Sequence, residues 1–188
     1  MERGFKAKAE REAARQRQLL GLRITDPLLA RKLIRHHEIL LLTPQRIPGM
    51  SIEHLCQLLE TDISGWSAVT LTIGTQVAII YNSSHSPGRQ ETDLTHEVSH
   101  ILCRHEPMLL MPYPGLPLAL RTYNADQEKE ADWLAGCLKL PREALLWAVR
   151  SDMDNDSITS HFHTNLQLVK YRRDKTGINR QLMYARGR

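Results

Sequence analysis

The sequence is poor in several features that often reveal a protein's class. Its cysteines, Cys56, Cys103 and Cys137, are few, odd in number and far apart, and none belongs to a CxxC pair. That pattern excludes a disulfide framework and a zinc knuckle; isolated thiols in apolar surroundings suit small core residues in a reducing compartment. Long hydrophobic runs are lacking too. "ILLL" at 39–42 is among the longest, far short of the twenty or so residues that cross a bilayer. The N-terminal charges include Glu2, Glu10 and Glu12 and no apolar stretch follows, so no secretory leader, no membrane association and a cytoplasmic location are expected. Charge of one sign is in small excess, a net +4, drawn mostly from "RGFKAKAEREAARQR" and "KYRRDKTGINRQLMYARGR" at the two ends. No internal repeat or low-complexity segment is present.

What remains is an ordinary folded composition: 188 residues, 41% hydrophobic and 24% charged. It excludes bulk disorder and allows one domain with a real core, with or without a small appendage. Residues 2–20 read as a polar helix. "TDPLLARKLIRHHEILLLTP" predicts a second, with Asp26 as cap, Pro27 in the first turn and Pro44 as stop. "GMSIEHLCQLLETD" predicts a third, with Ser51 at its start and Ile52, Leu55, Leu58 and Leu59 at helical spacing. After Gly65 the pattern changes: "WSAVTLTIG" and "QVAIIYN" are β-branched and aromatic, and predict two paired strands. "NSSHSPGRQ" reads as loop, with helical spacing resuming at Asp93. Four prolines in "PMLLMPYPGLP" forbid a regular helix there. Helix returns in "NADQEKEADWLAGCLKLP" and "REALLWAVRS", and after the polar break "DMDND" the tail predicts two short helices around a turn. The expected class is α+β, mostly helical with a small β-sheet, organised as residues 1–148 followed by a small helical segment, 149–188.

The stretch that carries chemistry is "DLTHEVSHILCRHE", residues 93–106. Its His96-Glu97-Val98-Ser99-His100 is an HExxH match. Residues four apart lie one turn apart on one helix face, so both imidazoles can reach one tetrahedral zinc ion. Glu97 is turned roughly 100° from His96 around the axis, which sets it beside the metal, ready to take a proton from water. Leu94, Val98, Ile101 and Leu102 fall on the opposite face by the same rotation. Such a helix buries its back and offers its histidines to a cleft. His105 lies near the helix end, away from the pair, and reads as a solvated residue complementing the helix C-terminus. Cys103 shares the histidine face but reads as a small thiol rather than a ligand.

A catalytic zinc uses three protein ligands and keeps one position open. The candidates lie in "QEKEADWLAGCLKLP", where Glu128, Asp132 and Ala135 share a helical face. Asp132, one turn past Glu128, is placed to accept the free ring N–H of a ligating histidine. Glu130 is the rival ligand, facing away from that row.

His96-Glu97-x-x-His100 followed by Glu128-x-x-Ala131-Asp132 resembles the gluzincin pattern of thermolysin-like peptidases. More specifically, "RQETDLTHEVSH" with "EKEADWLAGCLKLP" resembles the ImmA/IrrE metallopeptidases over about residues 20–182, including a tail similar to that family's short helix-turn-helix-like ending. The resemblance implies a zincin-like fold, Zn²⁺ held by His96, His100 and Glu128, Glu97 as general base, and Asp132 hydrogen-bonded behind a ligand. It also implies a protein substrate, typically a helix-turn-helix transcriptional repressor, so that the enzyme acts as an anti-repressor in stress response or mobile-element regulation. The chain departs from the family at Thr95, Cys137, Lys139 and His163, the last in place of a turn glycine; none removes a ligand.

Several roles stay open in the sequence. His161, His163, Tyr123, Tyr171 and Arg89 are all candidate oxyanion donors. Val77 to Tyr81 could pair with an extended substrate if the strand lies at an edge, or could equally be interior. The alternative to a peptidase is a non-hydrolytic, metal-containing DNA- or protein-binding module, with Lys170, Arg172, Arg173 and Lys175 of the basic tail meeting phosphates.

Overall fold

A computed structural model describes residues 1–73, 75–105, 118–120, 124–178 and 181. The protein is α+β, mostly helical with a small mixed sheet. Its contacts divide it into two compact units, Met1 with Ala30–Asp132, and Glu2–Leu29 with Trp133–Arg188. Among the described residues no helix is long and apolar enough to cross a membrane. The proline-rich stretch 107–117 lies outside the described residues.

The first unit is built on a sheet. Helix α2 (Ala30–His36) leads into β1 (Leu40–Leu42), a short helix α3 (Ile52–Cys56), then β2 (Ala68–Ile73) and β3 (Gln76–Tyr81). α4 (Pro87–Cys103), β4 (Leu118–Leu120) and the first half of α5 (Ala125–Lys139) follow. The strand order is β1-β3-β2-β4. β2 runs antiparallel to β3, as adjacent hydrophobic strands joined by a tight turn should, and it also pairs antiparallel with β4, which follows α4 in the chain. β1 joins parallel to β3, with Leu41 opposite Ile79. α4 packs on β2, β3 and α2, and Leu33, Leu71, Ala78, Ile79, Leu94 and Val98 are buried.

Three sequence expectations need correcting here. The predicted second helix is shorter, and its "LLL" is strand β1, because Glu38 takes a left-handed conformation (φ 54°) that ends the helical run. Asp26 does not cap that helix; it accepts from the Arg23 backbone N–H (2.9 Å). The Glu91 carboxylate takes that place by accepting the Ala30 N–H at 2.5 Å. α4 begins at Pro87, not Asp93, since proline suits a first helical position and Ser86 accepts the Arg89 N–H at 3.4 Å. Of the two readings left open for Val77 to Tyr81, the interior one holds: β3 lies between β1 and β2, and Ala78–Ile80 pair on both sides. The third helix does start at Ser51, whose hydroxyl accepts from the His54 N–H, but it buries none of its residues and leaves Ile52 exposed.

The second unit is helical: α1 (Phe5–Leu19), the rest of α5, α6 (Arg142–Arg150), α7 (Asn155–His161) and α8 (Leu166–Thr176). One apolar cluster gathers Leu140, Leu145, Ala148, Ile158, Phe162, Val169 and Ile178. The tail forms as the caps dictate. Asp154 accepts from Ser157 N–H and Asn165 from Leu168 N–H, each opening a helix, and Gly177 (φ 68°) closes the second. Between them His163 adopts φ 48°, the left-handed conformation for which a glycine would be the usual residue. Arg172 is fully buried. Its guanidinium donates to Leu140 O at 3.0 Å and pairs with Glu10 at 2.5 Å. It therefore cannot serve as a surface phosphate contact. Arg173 donates to Asn155 Oδ1 at 2.6 Å.

Candidate metal centre

α4 presents the HExxH residues because its other face is buried. Leu94 and Val98 are fully enclosed, and Ile101 and Leu102 are half-buried. The polar residues on the buried side satisfy themselves locally: Thr95 Oγ1 donates to Glu91 O at 2.6 Å, and Ser99 Oγ donates to Thr95 O at 2.8 Å. α5 opens at Asn124, whose Oδ1 accepts from the Asp126 and Gln127 N–H groups (3.0 and 3.3 Å). Its first turns carry Glu128, Glu130 and Asp132 against α4.

His96, His100 and Glu128 meet. Their donor atoms all lie within 4.8 Å of one another, and among the described residues they form a group that could hold a metal ion. His96 Nε2 is 3.0 Å from His100 Nε2 and 3.1 Å from Glu128 Oε2, and His100 Nε2 is 3.4 Å from Glu128 Oε1. A tetrahedral ion bonded at about 2.0–2.1 Å sets its ligand atoms about 3.3 Å apart. The donor set, two imidazole nitrogens and a carboxylate, is one that zinc takes, and the spacing fits. Cys103 and Glu130 stand outside this group.

Glu97 is buried beside the triad, and Thr70 Oγ1 on β2 donates to its Oε2 at 2.5 Å. Asp132 Oδ1 lies 3.0 Å from His96 Nδ1, the nitrogen turned away from the other donors. Burial pushes the His96 imidazole down, but the Asp132 hydrogen bond and the charges of Glu97, Asp132 and Glu128 outweigh it, so its pKa is raised above the ordinary 6.5.

Two neighbours escape a sequence reading. Thr70 is one of several alternating residues of a strand, and nothing in "AVTLTI" marks it. His105 does not lie away in solvent. α4 ends at Cys103, its cap Arg104 takes φ 56°, and the chain doubles back: Arg104 N–H donates to Ile101 O (3.0 Å) and His105 N–H to His100 O (3.1 Å). This left-handed closure brings His105 Nδ1 to 2.8 Å from His100 Nδ1, and His105 Nε2 to 3.3 Å from Glu130 Oε2. Helical rotation stops applying where the helix stops, so its prediction for His105 was wrong. A glycine at 104 would have signalled the turn; arginine does not.

Of the candidate oxyanion donors, Arg89 donates to Ser67 Oγ (3.2 Å) and lies 3.9 Å from Asp93. His161, His163 and Tyr171 belong to the second unit. There His161 Nε2 approaches Thr25 O at 2.8 Å, and Tyr171 packs edge-on against Trp133. Tyr123 lies outside the described residues.

No curated protein and no solved structure matches the chain significantly. The family described as "IrrE N-terminal-like domain", a peptidase family, matches residues 57–173, more than half the chain and the whole of the region that supplies both histidines and all three acidic residues. With an HExxH helix whose histidines close on the carboxylate of a second helix, the chain belongs to the ImmA/IrrE family of metallopeptidases.

Proposed function

We propose that the protein is a zinc-dependent endopeptidase whose substrate is a helix-turn-helix transcriptional repressor, cleaved to relieve repression. The observation that carries the hydrolytic reading is the convergence of His96, His100 and Glu128 donor atoms within 4.8 Å, with the buried Glu97 carboxylate alongside. The substrate class rests on the family, whose members typically cleave such repressors.

His96 Nε2, His100 Nε2 and the Glu128 carboxylate would hold the ion. Bound there, zinc supplies Lewis acidity, lowering the pKa of water and polarising the scissile carbonyl. Three protein ligands leave the open position that catalysis requires. Glu97 takes the proton that the attacking water loses and returns it to the departing amide nitrogen as the C–N bond breaks. Thr70 holds that carboxylate in one orientation through the hydroxyl it donates. Asp132 accepts the His96 Nδ1–H, which fixes the tautomer and leaves Nε2 with its lone pair free.

The test is Glu97→Gln. Mass spectrometry of the purified variant is expected to find the same metal content as the parent. Co-expression with candidate repressors is expected to give a discrete cut with the parent chain and none with the variant. Undiminished cleavage by the variant would show that Glu97 is not the base.

A further inference from the structure

Glu128, Glu130 and Asp132 alternate along α5, and two of them address the metal group directly. Glu128 reaches the Nε2 atoms of both histidines, and Asp132 reaches Nδ1 of His96. Glu130 is turned about 200° from Glu128 around the helix and cannot share that face. Between it and His100 stands His105. The distances run 3.3 Å from Glu130 Oε2 to His105 Nε2, then 2.8 Å from His105 Nδ1 to His100 Nδ1. The line is enclosed, with side-chain exposures of 2% for His100, 6% for His105 and 17% for Glu130.

We propose that His105 and Glu130 form a positioning relay for His100, serving it as Asp132 serves His96. This inference rests on the metal site proposed above. One assignment of protons satisfies every nitrogen in the line. His105 Nε2–H donates to the Glu130 carboxylate; His105 Nδ1 then offers a lone pair, which accepts His100 Nδ1–H; and His100 Nε2 is left with a free lone pair on the side of His96 and Glu128. The reverse tautomer of His100 would turn an N–H toward the ligand group and forbid coordination. The relay therefore selects the one tautomer able to bind a metal. It also stops the ring from rotating about its Cβ–Cγ bond, because rotation would break the contact with His105. The left-handed Arg104 is what makes this possible, since a helix continued past Cys103 would carry His105 away from the pair. Both ligating rings are thus backed by a carboxylate of α5, one directly and one through a second imidazole.

Metal affinity, read by competition with a chromophoric zinc chelator, tests the relay without reference to any substrate. Partners behind a ligating histidine typically change metal affinity by about 10–100-fold. His105→Ala is expected to weaken zinc binding by about that range, and Glu130→Gln by about 10-fold. The double variant is expected to bind about as weakly as His105→Ala alone, because the relay carries the effect of Glu130 to His100 through His105. Glu128→Gln serves as the ligand-loss reference and Lys129→Gln as the exposed-neighbour control. Should His105→Ala fail to fold, judged by far-UV circular dichroism of the metal-free protein, Glu130→Gln decides alone. Parent-like affinity in Glu130→Gln and His105→Ala would overturn the relay while leaving the metal site standing. Equal losses from Glu130→Gln in the presence and absence of His105 would reduce Glu130 to a through-space charge and also overturn it. A loss from Glu130→Gln as complete as that from Glu128→Gln would make Glu130 a ligand, and the relay would fall again. A parent chain that binds no zinc removes the site itself, a different failure from any of these.

Discussion

Thr70→Val removes one hydroxyl while keeping the β-branched shape that suits strand β2. In the parent, Thr70 Oγ1 donates to Glu97 Oε2 at 2.5 Å, and Glu97 is 5% exposed. A hydrogen bond to a charged group contributes about 1.5–3 kcal/mol, against about 0.5–1.5 kcal/mol between neutral groups. The Thr70 side of the contact is half-buried, so the lower part of the charged range applies, about 2 kcal/mol. For a chain of this size that corresponds to a fall in Tm of about 4–8 °C, measured on the metal-free protein by circular dichroism. Thr70→Ser keeps the donor and is expected to lose less. In a Glu97→Gln background the same Thr70→Val step meets a neutral acceptor, and its cost is expected to drop to about 1 kcal/mol or below. Peptidase activity of Thr70→Val should fall while metal content holds, because the carboxylate loses its fixed orientation and the ligands do not. The reasoning fails if Thr70→Val costs the same in both backgrounds, since the coupling would then be zero.

The raised His96 pKa means that the metal-free site keeps a proton to higher pH than an ordinary imidazole, and zinc must displace it. Zinc affinity is therefore full above that raised pKa and falls as pH drops through it. Asp132→Asn removes a cause of the rise and should shift the fall to lower pH, as titrations across about pH 5.5–8 would show. Arg172→Met leaves the Leu140 carbonyl and the Glu10 carboxylate without their guanidinium. Breaking a fully buried ion pair costs about 3–5 kcal/mol; with Glu10 28% exposed, a loss of about 2–3 kcal/mol is expected in denaturant unfolding. His163→Gly relieves a left-handed residue (φ 48°), and the strain removed, about 1–2 kcal/mol, exceeds the added chain entropy, so Tm should rise slightly. An unchanged or lower Tm would show that the histidine side chain contributes more than its backbone costs.

The sequence by itself determined the parts of this protein whose partners are close along the chain. The HExxH spacing and the apolar residues opposite it placed His96 and His100 together on one face of α4, since a helix repeats every 3.6 residues whatever surrounds it. Glu128 and Asp132, one turn apart, were legible on α5 for the same reason, and the start of the third helix at Ser51 and the strand pair β2–β3 were legible from local residue types. Tertiary structure decided the rest. "LLL" at 40–42 is apolar enough for helix or strand, and its parallel pairing with β3, tens of residues away, settled it as β1. Ser86 and Pro87 extended α4 upstream through a stretch whose composition reads as loop. Thr70 acquired its role only when β2 was laid under α4, and His105 acquired its own when a left-handed arginine folded the chain back onto His100. Periodicity speaks for residues inside one regular element. It is silent about side chains that meet across elements or just beyond the end of one, where long-range packing and a single unusual backbone angle choose the neighbour.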